Sequence, residues 1–545
     1  MRLLTKLVAA AAPLALIPLG GIAAAQLGPG DPAQVVSTAA PTCSPVPVDA
    51  PPGSMIESVQ AARKPGGTVT FPATPFSPAS EITGVPAYCE ITVTVTHPGA
   101  NDHVKVVVAL PETGWTGRLQ AIGGSAYAAG NFGAPLVQAV KDGYSGVTTD
   151  AGVPSSDNPL ETGWAVTANG KINTPLVTNF ATRSVHEEAL IGKDVTQEFY
   201  GRSITYSYWN GCSTGGRQGY SEAQNHPGDF DGILANAPAV DWTRFAVATL
   251  WPQVVMNQDH HFPSNCVLNA FRQAAIAACD ADDGVTNGIV DRPDECSYDP
   301  RTLVGTKVLC EGEELTVTPA DAEVMRKVWA GPTDERGRSL WSGLPKGADP
   351  VWLAGTKVDP DGTLSAPGFP VAVAWVQSFL AKQPGFDTST ITYRRFTELF
   401  RQSVKEYDEI IGTANPDLSD FRRSGGKLIT FVGTDDQLIP PGGTLDYRDR
   451  VERRMGGAER VNDFYRLFLA PGVEHCGGGA GPVPENPLGA LVDWVEHGKA
   501  PATLAASTVA GGRTATRDLC PHPQVSRYSG AGDPAAASSY RCTNN

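Results

Sequence analysis

Gly211-Cys212-Ser213-Thr214-Gly215 has the form Gly-x-Ser-x-Gly. That spacing suits a sharp turn from strand to helix, where the glycines avoid clashes and the serine Oγ stands exposed at the end of a sheet. A serine hydroxyl is a poor nucleophile until a base takes its proton. The base in turn needs an acid to hold its tautomer and stabilise its cation. Two later stretches offer both. Asp435 and Asp436 follow the apolar run Lys427–Val432, and His475 follows Phe464–Leu469. Serine, acid, histidine is the chain order expected of an α/β-hydrolase triad. Both aspartates stay open here, because adjacent residues point in different directions. A lone histidine is ordinarily structural, and the position after a late strand is what marks His475.

The elements needed to place these groups are readable on either side. Ser203–Trp209 is rich in β-branched and aromatic residues, as a strand should be. Gln218–Asn225 suits a helix, ended by His226-Pro227-Gly228. Upstream, Ile91–Thr96, Val104–Leu110, Leu119–Ile122 and Gly143–Thr149 read as strands, with a helix from about Thr182 to Tyr200. Gly123-Gly124 follows one of these strands, where such hydrolases place an oxyanion-hole loop, although an ordinary turn has the same pattern. Downstream come a strand at Phe230–Ala235, the two strands that precede the acid and the histidine, and a helix at Leu488–His497. From Thr503 the chain is strand-like and coil. The expected fold is α/β: an α/β-hydrolase core sheet from residues 26–240 and 421–545. Residues 241–420 lack regular alternation and read as a large inserted lid domain.

Composition sets the surroundings. The chain has 545 residues, 41% hydrophobic and 18% charged, with 59 Gly and 45 Pro, which is globular and loop-rich. Its net charge of -15 argues against nucleic acid or anionic membrane as a partner. Arg2, Lys6, the apolar stretch Leu7–Leu19 and Ala23-Ala24-Ala25 form a secretory signal peptide over 1–25. No later apolar run reaches roughly 18 residues, so a secreted chain without a membrane span is expected. Ten cysteines, an even count, suit disulfides in an oxidising compartment. None sits in a Cys-x-x-Cys pair, which argues against a zinc site. Cys212 precedes Ser213 and Cys476 follows His475. If the serine and the histidine meet, their neighbours fall within disulfide reach, a Cα separation of ~4.4–6.8 Å. Closing so long a loop is worth ~5 kcal/mol in the chain-entropy account.

Taken together, Gly211–Arg217, Gly433-Thr-Asp-Asp-Gln-Leu-Ile-Pro-Pro441, Phe230–Pro238 and His475-Cys476 resemble the Cys-Ser/Asp/His-Cys signature of the tannase and feruloyl esterase family. The resemblance runs from about Cys43 to Cys542. It implies Asp436 as the acid, and an oxyanion hole from the backbone N–H groups of Thr214 and Gly124. The chain has Ser125 where the family often continues a glycine run. The resemblance further implies the bridges Cys212–Cys476, Cys279–Cys296, Cys43–Cys89 and Cys520–Cys542, leaving Cys266 and Cys310 as the fifth pair.

Cys279–Asp291 holds closely spaced oxygen ligands and turn glycines, which suits a hard cation. It lacks EF-hand spacing and the final glutamate. By resemblance the ion is a structural Ca2+, held by Asp280, Asp283, the Val285 carbonyl, Asn287 and the Ile289 carbonyl. Asn287 stands where the family usually has aspartate.

The function expected is that of a secreted serine esterase. By resemblance its substrate is a small feruloyl- or galloyl-type aromatic ester, free or attached to plant polysaccharide or polyphenol. The lid is expected to form most of the acyl pocket, with Phe379, Phe386, Arg394, Arg395 and Phe396 as candidates. An arginine there would suit the alternative of a terephthalate monoester, although a solvated or structural charge is the commoner role. A non-catalytic secreted binding protein on the same fold is the reading from a different class; the intact triad argues against it.

Overall fold

Ile91, Val93 and Val95 alternate with threonines, and all three are wholly buried on one side of a strand, as a period of two requires. The same logic builds a central sheet. Its strands are β1 (Met55–Lys64), β2 (Tyr88–Thr96), β3 (Val104–Pro111), β4 (Arg118–Ser125), β5 (Tyr144–Thr149), β6 (Tyr206–Cys212), β7 (Gly232–Asn236), β8 (Lys427–Gly433) and β9 (Tyr465–Ala470). They lie in the order β1-β2-β3-β5-β4-β6-β7-β8-β9, and Ala128–Gly130 folds back on β4. Pairing is antiparallel as far as β5 and parallel from there to β9. The structure, a computed structural model, describes residues 42–73, 79–156, 158–510 and 512–544. The expected signal peptide over 1–25 lies outside the described residues.

Helices cover both faces of the sheet. On one side α2 (Ser184–Tyr200) and α3 (Thr214–Asn225) bury Val185, Ala189, Ile191 and Tyr220 against β-branched residues of β2 and β3. On the other, α1 (Ala134–Lys141) places Val137 and Val140 over β3 and β5, and a later helix, Pro487–His497, places Leu491 and Trp494 over β7 and β8. Helix α2 starts at Ser184, close to the expected start, and stops at Gly201, whose φ of 63° is the left-handed cap that a Cβ would penalise. Strand β1 has no counterpart among the expected strands. Its mixed sequence and half-exposed edge position blur the alternation.

The chain leaves the sheet after Asn236 and returns at Lys427. The intervening stretch, read from sequence as irregular, is largely helical. It includes α4 (Trp242–Ala248) and α5 (Tyr393–Ile411). Helix α5 is capped by Thr392, whose side chain accepts the Arg395 N–H, and buries Phe396, Leu399, Phe400, Ser403, Tyr407 and Ile411 on one stripe. That apolar stripe joins a core built mainly by the insertion itself, to which Tyr127, Trp164 and Phe180 of the hydrolase part contribute. After β9 the chain ends in two hairpins, Leu504–Ala510 with Arg513–Leu519 and Gln524–Tyr528 with Tyr540–Asn544.

All ten cysteines are paired, as Cys43–Cys89, Cys212–Cys476, Cys266–Cys310, Cys279–Cys296 and Cys520–Cys542. Among the described residues no helix is long and apolar enough to cross a membrane.

Candidate active site

Strand β6 runs into helix α3 through a single residue, Ser213, with φ 64° and ψ -123°. A non-glycine residue held there is strained, and such strain is characteristic of a nucleophile elbow. Close backbone approach explains the flanking glycines. A Cβ on Gly211 would lie 2.5 Å from the Gly215 carbonyl, and one on Gly216 2.5 Å from the Asn236 oxygen. The elbow is pinned by the Ser213 N–H, which donates to Asn236 at 3.1 Å. Arg217, in the same motif, turns away from the opening. Its guanidinium donates to the Phe180 and Ala181 carbonyls.

Asp436 leaves the end of β8 and is fully buried. Its Oδ1 accepts the N–H groups of Leu438 and Ile439 at 3.0 and 2.8 Å, which fixes the carboxylate. His475 follows β9, and its Nδ1 lies 2.9 Å from Asp436 Oδ2. The Gln437 side chain accepts the His475 N–H at 2.9 Å, so the acid loop also holds the histidine main chain. Asp435 points elsewhere: a Cβ on Gly347 would fall 2.4 Å from its Oδ1. Burial pushes the Asp435 carboxyl up to about 7, opposed by Arg272.

The Cys212–Cys476 bridge, with Cα atoms 5.9 Å apart, joins the residue before Ser213 to the residue after His475. Ser213, His475 and both cysteines line one cavity of about 630 Å³. No hydrogen bond joins Ser213 Oγ to the imidazole among the described residues. Such contacts often tighten only once substrate is bound.

Thr214 is the first residue of α3, so its N–H has no acceptor within the helix. Its hydroxyl is anchored on the Ala126 carbonyl at 2.6 Å. Gly124, expected as the second oxyanion donor, does line the cavity. Its N–H, however, donates to Gln218 Oε1 at 3.0 Å, and a donor used internally is not aimed at substrate. Gln218 also donates to the Ala129 carbonyl at 2.8 Å, locking the β4 hairpin against α3. Gln437 and Gln218 went unassigned from sequence because an amide carries no charge pattern to mark it.

The cavity wall differs from the one expected. Most of it comes from the hydrolase core, while the insertion contributes Trp242, Phe245, Trp352 and Phe369 with the adjoining Pro370 and Val371. Phe379 and Phe396 are buried in the core away from it, and Phe386 packs on that core. Arg394 and Arg395 are solvent-exposed and pair with Glu398. Apart from His475, no titratable side chain lines the cavity.

The Cys279–Cys296 loop is wound tightly. Asp280 Oδ1 accepts the N–H groups of Asn287, Gly288 and Ile289, Asp283 accepts that of Val285, and Asn287 that of Ile289. Asp283 Oδ2 and Asp291 Oδ1 are buried without a partner. Burial and the adjacent Asp291 push Asp283 up to about 6. Arg517 pairs with the other Asp291 oxygen at 2.5 Å. Two facing carboxylates with orphaned oxygens fit a cation chemically. Asp291 lay at the end of the sequence motif but outside the expected ligand set.

Comparison with known proteins comes to the same place. Residues 89–543 match the family described as tannase and feruloyl esterase. A probable feruloyl esterase of Arthroderma benhamiae is 46% identical over 91% of this chain and 92% of its own. A tannase of Aspergillus oryzae is 28% identical over 84% of this chain and 85% of its own. Among solved structures, the tannin acyl hydrolase of Aspergillus niger superposes with a TM-score of 0.82 at 28% identity, covering 91% of this chain and 92% of that one.

Proposed function

The chain belongs to the tannase and feruloyl esterase family and is an esterase; from that premise we propose that it is a secreted serine esterase for neutral aromatic esters. Ser213 attacks the ester carbonyl as His475 takes its proton. Asp436 holds the imidazole and stabilises its cation, and the Thr214 N–H faces the developing oxyanion. His475 then protonates the departing alcohol, and water, activated by the same histidine, hydrolyses the acyl-enzyme. The observation that carries the substrate class is the cavity itself. It is large enough for an aryl acyl group, walled by Trp242, Phe245 and Phe369, and free of lysine, arginine, aspartate and glutamate. Aromatic and apolar walls favour a ring. A terephthalate monoester would bring a carboxylate into a cavity with no cation to meet it, which costs several kcal/mol.

The half-exposed Trp352 stands on the cavity wall, where the alcohol side of the ester can extend towards solvent. That suits an aromatic acid attached to plant polysaccharide or polyphenol. Export through the 1–25 signal fits the five bridges. The insertion over 241–420 acts as a lid that supplies the aromatic part of the wall. A structural Ca2+ would be held by Asp280, Asp283, Asn287 and the Val285 and Ile289 carbonyls, with Asp291 adding charge, and would neutralise the buried carboxylates.

Initial rates on methyl ferulate, methyl gallate and mono(2-hydroxyethyl) terephthalate test the substrate class. One of the neutral esters should exceed the terephthalate monoester in kcat/KM by at least about 100-fold. Equal or better turnover of the monoester would contradict the neutral-cavity reading.

A further inference from the structure

An ester has two halves, and the wall of the active-site cavity is divided in a way that matches them. Every residue that the insertion supplies is aromatic or aliphatic, from Trp242 to Val371. Besides the catalytic residues, the polar side chains Ser125, Asn131, Asn210 and Gln437 all belong to the hydrolase part. An aryl group gains most against the first side. The second side is then left for the alcohol.

Gln437 is the most closely defined of these polar groups. It follows the triad acid directly and is 6% exposed. Its Oε1 accepts the His475 main-chain N–H at 2.9 Å. A main-chain N–H can only donate, so the orientation of the amide is fixed. The oxygen faces His475, and the NH2 group faces away from it. Nε2 donates to no protein atom among the described residues and is not sealed off from the cavity that Gln437 lines. A nearly buried amide with its N–H donors left over is costly unless an acceptor takes them. Water fills that role in the free enzyme, and an oxygen on the substrate can displace it.

The surroundings say which oxygen. His475 hands its proton to the departing alcohol, so the alcohol lies on the histidine side of the scissile bond. Gln437 is tied to the histidine main chain and lies on that same side. No lysine, arginine, aspartate or glutamate lines the cavity. A charged alcohol would meet no counter-ion there, whereas a neutral hydroxyl accepts from an amide N–H at little desolvation cost. We propose that Gln437 Nε2 donates a hydrogen bond to a hydroxyl of the alcohol half, so that Gln437 selects esters of neutral polyhydroxy alcohols, sugars among them. This adds to the esterase reading, on which it rests, the class of the leaving alcohol. The one amide then serves the reaction at both ends. Its oxygen fixes the main chain of the base, and its nitrogen reads the group that the base protonates.

Propyl ferulate and the glycerol monoester of ferulic acid share an acyl group and differ only in the hydroxyls of the alcohol. Initial rates on both compare wild type, Gln437→Glu and Gln437→Met, each at the pH of its own maximum. Gln437→Glu keeps an acceptor for the His475 N–H and loses the donor, whereas Gln437→Met loses both. Wild type should favour the glycerol ester in kcat/KM by at least about tenfold, and both variants should bring the two esters to within about twofold of each other. A wild type without the preference would overturn the proposal. Variants that slow both esters equally and keep the ratio would overturn it too, and would leave Gln437 as a support for His475 alone. Either result leaves propyl ferulate turnover, and with it the esterase reading, standing. Failure of wild type to hydrolyse either ester would remove both.

Discussion

Asp435 and Asp436 are neighbours with different surroundings, and the difference lies in their donors. Asp436 accepts two backbone N–H groups and faces His475, whereas one oxygen of Asp435 is buried without a partner. Asp436→Asn should therefore lower kcat by about 10⁴, read from initial rates on the preferred ester, while Asp435→Asn keeps the triad whole and most of the activity. Asp435 has a separate signature. Its carboxyl is raised to about 7 by burial, against an unfolded value of about 3.9. The folded state thus holds the extra proton between these values. The stability this group contributes is complete below about pH 4 and lost as pH rises through about 7, a change on the order of 4 kcal/mol. Asp435→Asn removes that loss, so its melting temperature relative to wild type should climb between pH 5 and pH 8. A difference that stays flat across that range would rule the idea out. From sequence the two aspartates could not be told apart, because direction is set by the turn after β8 and not by residue type. The resemblance to a family selected Asp436; the hydrogen bonds supply the physical reason.

At the scale of elements, the elbow was legible because its needs are local: glycines where backbones touch, β-branched residues before, a helix after. The cavity-side hairpin was less so. Gly123 and Gly124 signal close approach, and the structure shows that approach, with a Cβ on Gly124 falling 1.9 Å from the Ala128 oxygen. What the pattern could not show is that Gln218, on another element, takes the Gly124 N–H. Helix α5 was missed for a related reason. Its apolar stripe is sound, but it lies amid short turns and Pro-rich stretches whose packing is set by distant partners such as Tyr127 and Phe180. The Cys279–Cys296 loop, proposed to hold Ca2+, makes its own prediction. Chelation with EGTA should lower the melting temperature by at least about 5 °C, and Asn287→Asp, which restores a charged ligand, should raise the calcium affinity. An unchanged melting curve after chelation would leave Asp283 and Asp291 as a protonated pair.

At the scale of the whole molecule, the sheet order brings the ends of β6, β8 and β9 to one edge, and there Ser213 and His475 line one cavity with Asp436 behind the histidine. Except for the choice between Asp435 and Asp436, that grouping was legible from chain order, since strand-end placement and parallel pairing leave few other arrangements. The cavity wall was not, because it is assembled from residues far apart in sequence: Ala126, Leu160, Trp242, Trp352, Phe369 and Leu438. Arg394 and Arg395 of the insertion, for which a solvated charge was the commoner reading, are surface pairs with Glu398. The most direct test of the account is hydrolysis of methyl ferulate by wild type and by Ser213→Ala, with disulfides intact and calcium present. The account predicts saturable turnover by wild type and a loss of at least about 10⁴-fold in the variant. A variant that keeps its rate within about tenfold of wild type would contradict the assignment of Ser213 as nucleophile, and with it the mechanism built on that residue.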